Sequence, residues 1–113
     1  SNVIKELAAQ GPCIIVGRCA DVVLRAAGIP TVSLFICAPF EDRVRRRMEI
    51  EGIGQKESED AVRKIDKQRK KYYDTYTGRN WGAPENYDFC INSSVMGIEG
   101  TAEQIITWAR GTW

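Results

Sequence analysis

Three short, strongly apolar runs stand between longer segments in which apolar residues return at helical spacing, and this alternation does most to restrict what the chain can fold into. The runs are Cys13-Ile14-Ile15-Val16, Thr31 to Cys37 (TVSLFIC) and Asn86 to Ile91 (NYDFCI). Cys13 to Val16 lacks polar alternation, as strands covered on both faces do, and Thr31 to Cys37 reads as a second buried strand. The intervening segments read as helices. Val3 to Gln10 is stopped by Gly11-Pro12, and Asp21 to Ala27 is closed by Gly28. Pro39 opens a third helix, where Phe40, Val44 and Met48 form an i, i+4, i+8 stripe ended by Gly52 and Gly54. A long, poorly buried, charged helix runs from about Lys56 to Tyr76. Thr101-Ala102-Glu103-Gln104 has the spacing of a capping box ahead of a last helix.

Strand, helix and strand in succession imply parallel strands joined by right-handed crossovers. The expected fold is α/β, a three-layer arrangement with helices flanking a parallel sheet, in one domain over residues 1–113. The loops at the strands' C-terminal ends, residues 17–21, 38–40 and 92–97, form the default ligand face.

Charge and composition narrow the functions. Sixteen Lys plus Arg oppose fifteen Asp plus Glu, leaving a net charge of +1. No global basic field of the nucleic-acid-binding kind results. Histidine is absent, which removes His triads, His metal sites and His pH switches together. No apolar run approaches the roughly 20 residues of a membrane span, and no export signal opens the chain, so a cytoplasmic protein with no membrane partner is expected. Cys13, Cys19, Cys37 and Cys90 lack CxxC spacing, and three of them lie in apolar runs. They read as small core residues of a reducing compartment rather than as disulfides or a zinc site.

Four groups of residues could carry chemistry. Arg18 and Asp21 follow the first strand, where an Arg can grip a phosphate through parallel hydrogen bonds and an Asp can accept from a sugar hydroxyl. The plain alternative is a surface Arg and a helix-capping Asp. Eleven of the sixteen positive charges fall between residues 43 and 71, and eight acids lie between residues 41 and 71, so a solvated helical face laced with ion pairs explains most of them. Within that stretch Asp66 and Arg69 share a face with Arg63 one turn earlier, and an Asp can hold an Arg preorganised for a site. Tyr72, Tyr73, Tyr76 and Trp81 could stack a base or seat a loop on the core. No Gly-x-x-x-x-Gly-Lys-[Ser/Thr] phosphate loop occurs, so unaided ATP chemistry is not supported.

In order along the chain, Gly17-Arg18, Asp42-Arg43 with Arg46-Arg47-Met48, Asp66-x-x-Arg69, Tyr72-Tyr73, Tyr76-Thr77-Gly78, Trp81-Gly82, Asn86-Tyr87-Asp88 and Ile91-Asn92-Ser93 resemble the motifs of the cytidylate kinase-like family, of P-loop nucleoside monophosphate kinase type. The resemblance spans roughly Gly11 to Ile106. It implies that Arg18 binds the acceptor's phosphate with Asp21 nearby, that Arg43 and Arg47 approach the donor's phosphates, and that Arg69, oriented by Asp66, stabilises the transferring group. Two departures stand out: Cys19 occupies a position where cytidylate kinases proper have Asp, and Val62 one where they have a further lid Arg. Arg63 is the neighbouring candidate for that catalytic role.

Family members begin with a phosphate-loop strand and its helix, and this chain starts after both. The resemblance therefore implies the C-terminal portion of an ATP-dependent phosphotransferase, an incomplete P-loop kinase-like fold inactive by itself. In the related fold the phosphate-loop strand lies between those matching Cys13 to Val16 and Thr31 to Cys37, so exposed sheet edges through which copies could pair as a homo-oligomer are expected. ATP and Mg²⁺ belong to the full-length parent and none to this portion alone, with no resident metal site. A small-molecule nucleotide is the implied partner, and nucleic acid is not. The alternatives are a noncatalytic nucleotide- or RNA-binding module and a structural dimerisation domain. If the RNA-binding alternative is wrong, filter binding of single-stranded oligonucleotides will show weak affinity with a shallow salt dependence, because the net charge is near zero.

Overall fold

A computed structural model of the chain describes residues 2–11, 14–16 and 19–111. Helices α1 (Asn2–Ala9) and α2 (Ala20–Ala26) meet through Ile4, Ala20 and Leu24, with Ile15, Val23 and Ile29 packed around them. Strands β1 (Leu34–Cys37) and β2 (Phe89–Asn92) pair in parallel, Leu34 opposite Phe89 and Cys37 opposite Asn92. Between them run α3 (Phe40–Glu51), α4 (Gln55–Thr77) and a 3₁₀ turn (Pro84–Asn86), and α5 (Ser93–Gly111) follows β2. The result is a mixed α/β fold with a small two-stranded parallel sheet and flanking helices. Among the described residues no helix is long and apolar enough to cross a membrane.

Side chains alternate across a strand, so each sheet face acquires its own cover. Phe35 carries Trp81 edge-on at 5.4 Å and Tyr87 at 4.9 Å on one face, while Phe89 stacks on Trp108 of α5 at 5.4 Å on the other. Asp88 sets the register. Its Oδ2 accepts from the Ser33 backbone N–H at 2.7 Å and from Arg25 at 2.6 Å, while the Ser33 carbonyl accepts from the N–H groups of Asp88 and Phe89. One carboxylate thus fastens both strand entrances to the end of α2.

Helices α3 and α4 form an antiparallel hairpin. Glu41 and Asp42 suit the positive end of α3, and Gly52 ends it in the left-handed conformation that costs an ordinary residue. Fully buried Ser58 donates to the Val44 carbonyl at 2.7 Å, tying the two helices beside buried Val44 and Val62. Only Ser58, Val62 and Tyr73 of α4 are buried, as the charged composition of that helix predicts.

Four expectations need correction. Residues 14–16 form no strand, and Cys13 lies outside the described residues. Ile15 packs against α1 and α2, whereas Ile14 is 94% and Val16 89% exposed; the segment alternates as a strand does but has no ladder partner among the described residues. Cys37 and Cys90 are exposed rather than core residues, because the narrow sheet has less cover than a wider one would. The strands are also shorter than the apolar runs, beginning at Leu34 and Phe89. Finally, Thr101 is not a helix cap. It is buried inside α5 and donates to the Gly97 carbonyl at 2.6 Å, while Asn92 Oδ1 accepts from the Ser94 N–H near the true start. Gly97 breaks that helix with φ 75° and ψ 171°, a conformation essentially confined to glycine.

Asp88→Ala leaves the N–H of buried Ser33 without its acceptor and should cost about 1–3 kcal/mol in urea unfolding. Asp88→Asn keeps an oxygen there and should lose less, since the exposed Arg25 pair contributes only about 0–1 kcal/mol.

Candidate functional site

A cleft opens between α3 and α4, and helical spacing explains its lining. Arg43, Arg46, Arg47 and Ile50 recur at i, i+3, i+4 and i+7 along α3; Val62, Ile65, Asp66 and Arg69 repeat the same spacing along α4. The two stripes face each other, so four arginines line the cleft together with Ile50, Val62, Ile65, Asp66 and Glu51.

Asp66 accepts from Arg43 Nη1 with both carboxylate oxygens at 2.8 Å, and Arg43 Nε donates to the Ala38 carbonyl at 3.1 Å. The Arg43 side chain is therefore fixed from two elements. Arg47 is steered along its own helix by Glu51, Nε to Oε2 at 2.7 Å. Among the described residues Arg46 and Arg69 carry no ion pair, leaving two fixed charges free to meet an anion. Asp66 thus orients Arg43 across the cleft rather than Arg69 along its own helix.

The other expected site residues lie apart from this group. Arg63 stands over the Phe40 ring at 4.9 Å, with Glu59 and Asp60 within 4 Å, and does not line the cleft. Val62, beside it, is buried between the helices. Arg18 and Gly17 lie outside the described residues. Asp21, in the first turn of α2, accepts from the Tyr73 hydroxyl at 3.3 Å. Tyr73 is one turn beyond Arg69 on α4, so this contact brings the start of α2 to the same helix that walls the cleft.

An aromatic and amide cluster anchors the end of α4. Tyr73 faces Tyr87 at 6.3 Å, the Tyr87 hydroxyl accepts from the Gly82 N–H, and Gly82 lies so close to the Phe35 ring that an added Cβ would sit 3.3 Å from it. Asp74 accepts from Lys70 and from the Trp81 N–H, and the Lys70 hydrogen bond holds its carboxyl below the usual carboxylate range. Burial, then the charge of Asp21, pushes the Tyr73 phenol well above its ordinary value; burial raises Tyr87 as well. Tyr73 and Trp81 therefore seat the loop, whereas Tyr72 and Tyr76 remain exposed. Arg46 joins the site without a role assigned from the sequence, although its i, i+3, i+4 spacing with Arg43 and Arg47 marks it; Tyr73 seats the loop and does not stack a base.

The family model of the cytidylate kinase-like family matches residues 1–95. The chain is also similar to the crystal structure of an uncharacterized protein from Eubacterium ventriosum ATCC 27560, with a TM-score of 0.85 and 31% identity over 95% of this chain. This chain spans 60% of the length of that protein. No curated protein matches it.

Because the folded Tyr73 holds its proton more tightly than the ordinary value of 10.0, its contribution to stability is full below pH 10 and is lost as pH rises beyond it. Tyr73→Phe should therefore cost about 1 kcal/mol at pH 7, through the lost hydrogen bond. It should also make the alkaline loss of stability shallower, read from urea midpoints measured on both sides of pH 10.

Proposed function

The chain belongs to the cytidylate kinase-like family, and from that premise we propose that it is the C-terminal portion of a nucleoside monophosphate kinase-like phosphotransferase with an incomplete P-loop fold. The parent moves the γ-phosphoryl group of ATP to a small phosphorylated acceptor. The observation that carries this reading is the cleft in which Arg43, Arg46, Arg47 and Arg69 converge with one carboxylate locking one of them.

Phosphoryl transfer asks mainly for positioning and charge neutralisation, which a chain without histidine can supply through guanidinium groups. Arg43, held by Asp66 and the Ala38 carbonyl, presents its remaining donors without first losing rotamer freedom. Arg47 and Arg46 add planar forks matched to phosphate oxygens. An acceptor phosphate oxygen attacks the γ-phosphorus, the bond to the β–γ bridging oxygen breaks, and ADP leaves with that electron pair. Arg69 follows the charge on the transferring group. Arg18 holds the acceptor's phosphate and Asp21 accepts from its hydroxyls, with Tyr73 fixing the Asp21 carboxylate. The guanidinium groups lining the cleft suit the oxygens of a polyphosphate.

In a full-length kinase carrying this segment, Arg69→Ala should lower kcat by about 10²–10³ with a smaller change in KM, as expected of a group acting on developing charge. Arg18→Ala should raise the acceptor KM sharply. Unchanged steady-state constants for both variants, against ATP and a panel of nucleoside monophosphates, would overturn the assignment.

A further inference from the structure

The phosphate chemistry leaves two exposed aromatic side chains unused. Tyr72 is 41% and Tyr76 72% exposed, and their rings pair with each other at 4.7 Å and a 40° tilt. Neither joins the Phe35, Tyr73, Trp81 and Tyr87 cluster that seats the loop. Helical geometry places them beside the cleft. Ile65, Arg69, Tyr72 and Tyr76 fall at i, i+4, i+7 and i+11, on one stripe of α4, and the first two already line the arginine cleft. At the helical rise, Tyr72 and Tyr76 stand about 4.5 and 10.5 Å beyond Arg69 along the axis, a separation suited to a sugar between a phosphate and a base.

We propose that Tyr72 and Tyr76 form the stacking platform for the base of the nucleotide whose phosphates occupy the arginine cleft. The proposal rests on the phosphate reading above and adds what holds the other end of the ligand. Two features argue for this occupant. Phosphate is the complement of the arginines, and an exposed aromatic face takes up a flat π-system without a hydrogen-bond code. The platform therefore selects for a phosphate ester that carries an aromatic base but discriminates little between bases, purines gaining somewhat from their larger face.

The test uses a full-length kinase carrying this segment and isothermal calorimetry at low salt, with ATP and inorganic tripolyphosphate as probes. Tyr72→Ala and Tyr76→Ala should each weaken ATP about tenfold, in the range of one stacked base, and leave tripolyphosphate binding unchanged. Tyr72→Phe should bind ATP like the parent. Both sites are exposed, and a circular dichroism melt confirms that the variants fold. If the alanine variants bind ATP as tightly as the parent, or lose ATP and tripolyphosphate equally, the platform is refuted while the arginine cleft stands. If the parent binds neither probe, the phosphate reading falls and the platform with it.

Discussion

The carboxylate of Asp88 is the constraint on which the arrangement of the sheet depends. A two-stranded parallel ladder is short of its own stabilisation, and its register is worth little unless something outside the ladder fixes it. Asp88 does so at the strand entrance, taking the Ser33 N–H and Arg25 of α2 onto one oxygen while its own N–H returns to the Ser33 carbonyl. Once Leu34 lies opposite Phe89, Phe35 must face Trp81 and Tyr87, and Phe89 must face Trp108. The position of α3 at the far end of β1 follows.

The α3–α4 hairpin is built on a different principle. Its surface is crowded with charge, yet exposed ion pairs contribute about 0–1 kcal/mol each, and the interior reduces to Val44, Val62 and the Ser58 hydroxyl on a carbonyl. Arg43 and Asp66 bridge the helices while each remains about one-third exposed. Few buried contacts and many wet ones describe a unit that belongs to the low end of local stability. Its C-terminal end, by contrast, is pinned by Tyr73, Asp74 and the Phe35 cluster.

Helices were legible in the sequence because their signals are local. The Phe40, Val44 and Met48 stripe and the glycines at 52, 54 and 78 bound α3 and α4 closely, and the two strands lie within or one residue beyond their apolar runs. What failed depended on partners the periodicity does not report. Ile14 to Val16 has a strand's alternation but no ladder partner among the described residues, and Thr101 has a cap's spacing but is buried within the helical segment that follows the Gly97 kink. The site divided in the same way. The facing i, i+3, i+4, i+7 stripes could be read from spacing alone, whereas the pairing of Asp66 with Arg43 across the hairpin, and of Tyr73 with Asp21 over 52 residues, required the fold.

A cleft whose cations are all arginines has a consequence for titration. Guanidinium groups keep their charge throughout the physiological range, and no histidine stands anywhere in the sequence. The positive charge that lines the cleft is therefore constant across that range. A terminal phosphate, in contrast, loses its second proton near pH 6. For a phosphate ester bound against such a lining, affinity that varied near that pH would report the ester's own ionisation, the arginines acting as a fixed reference.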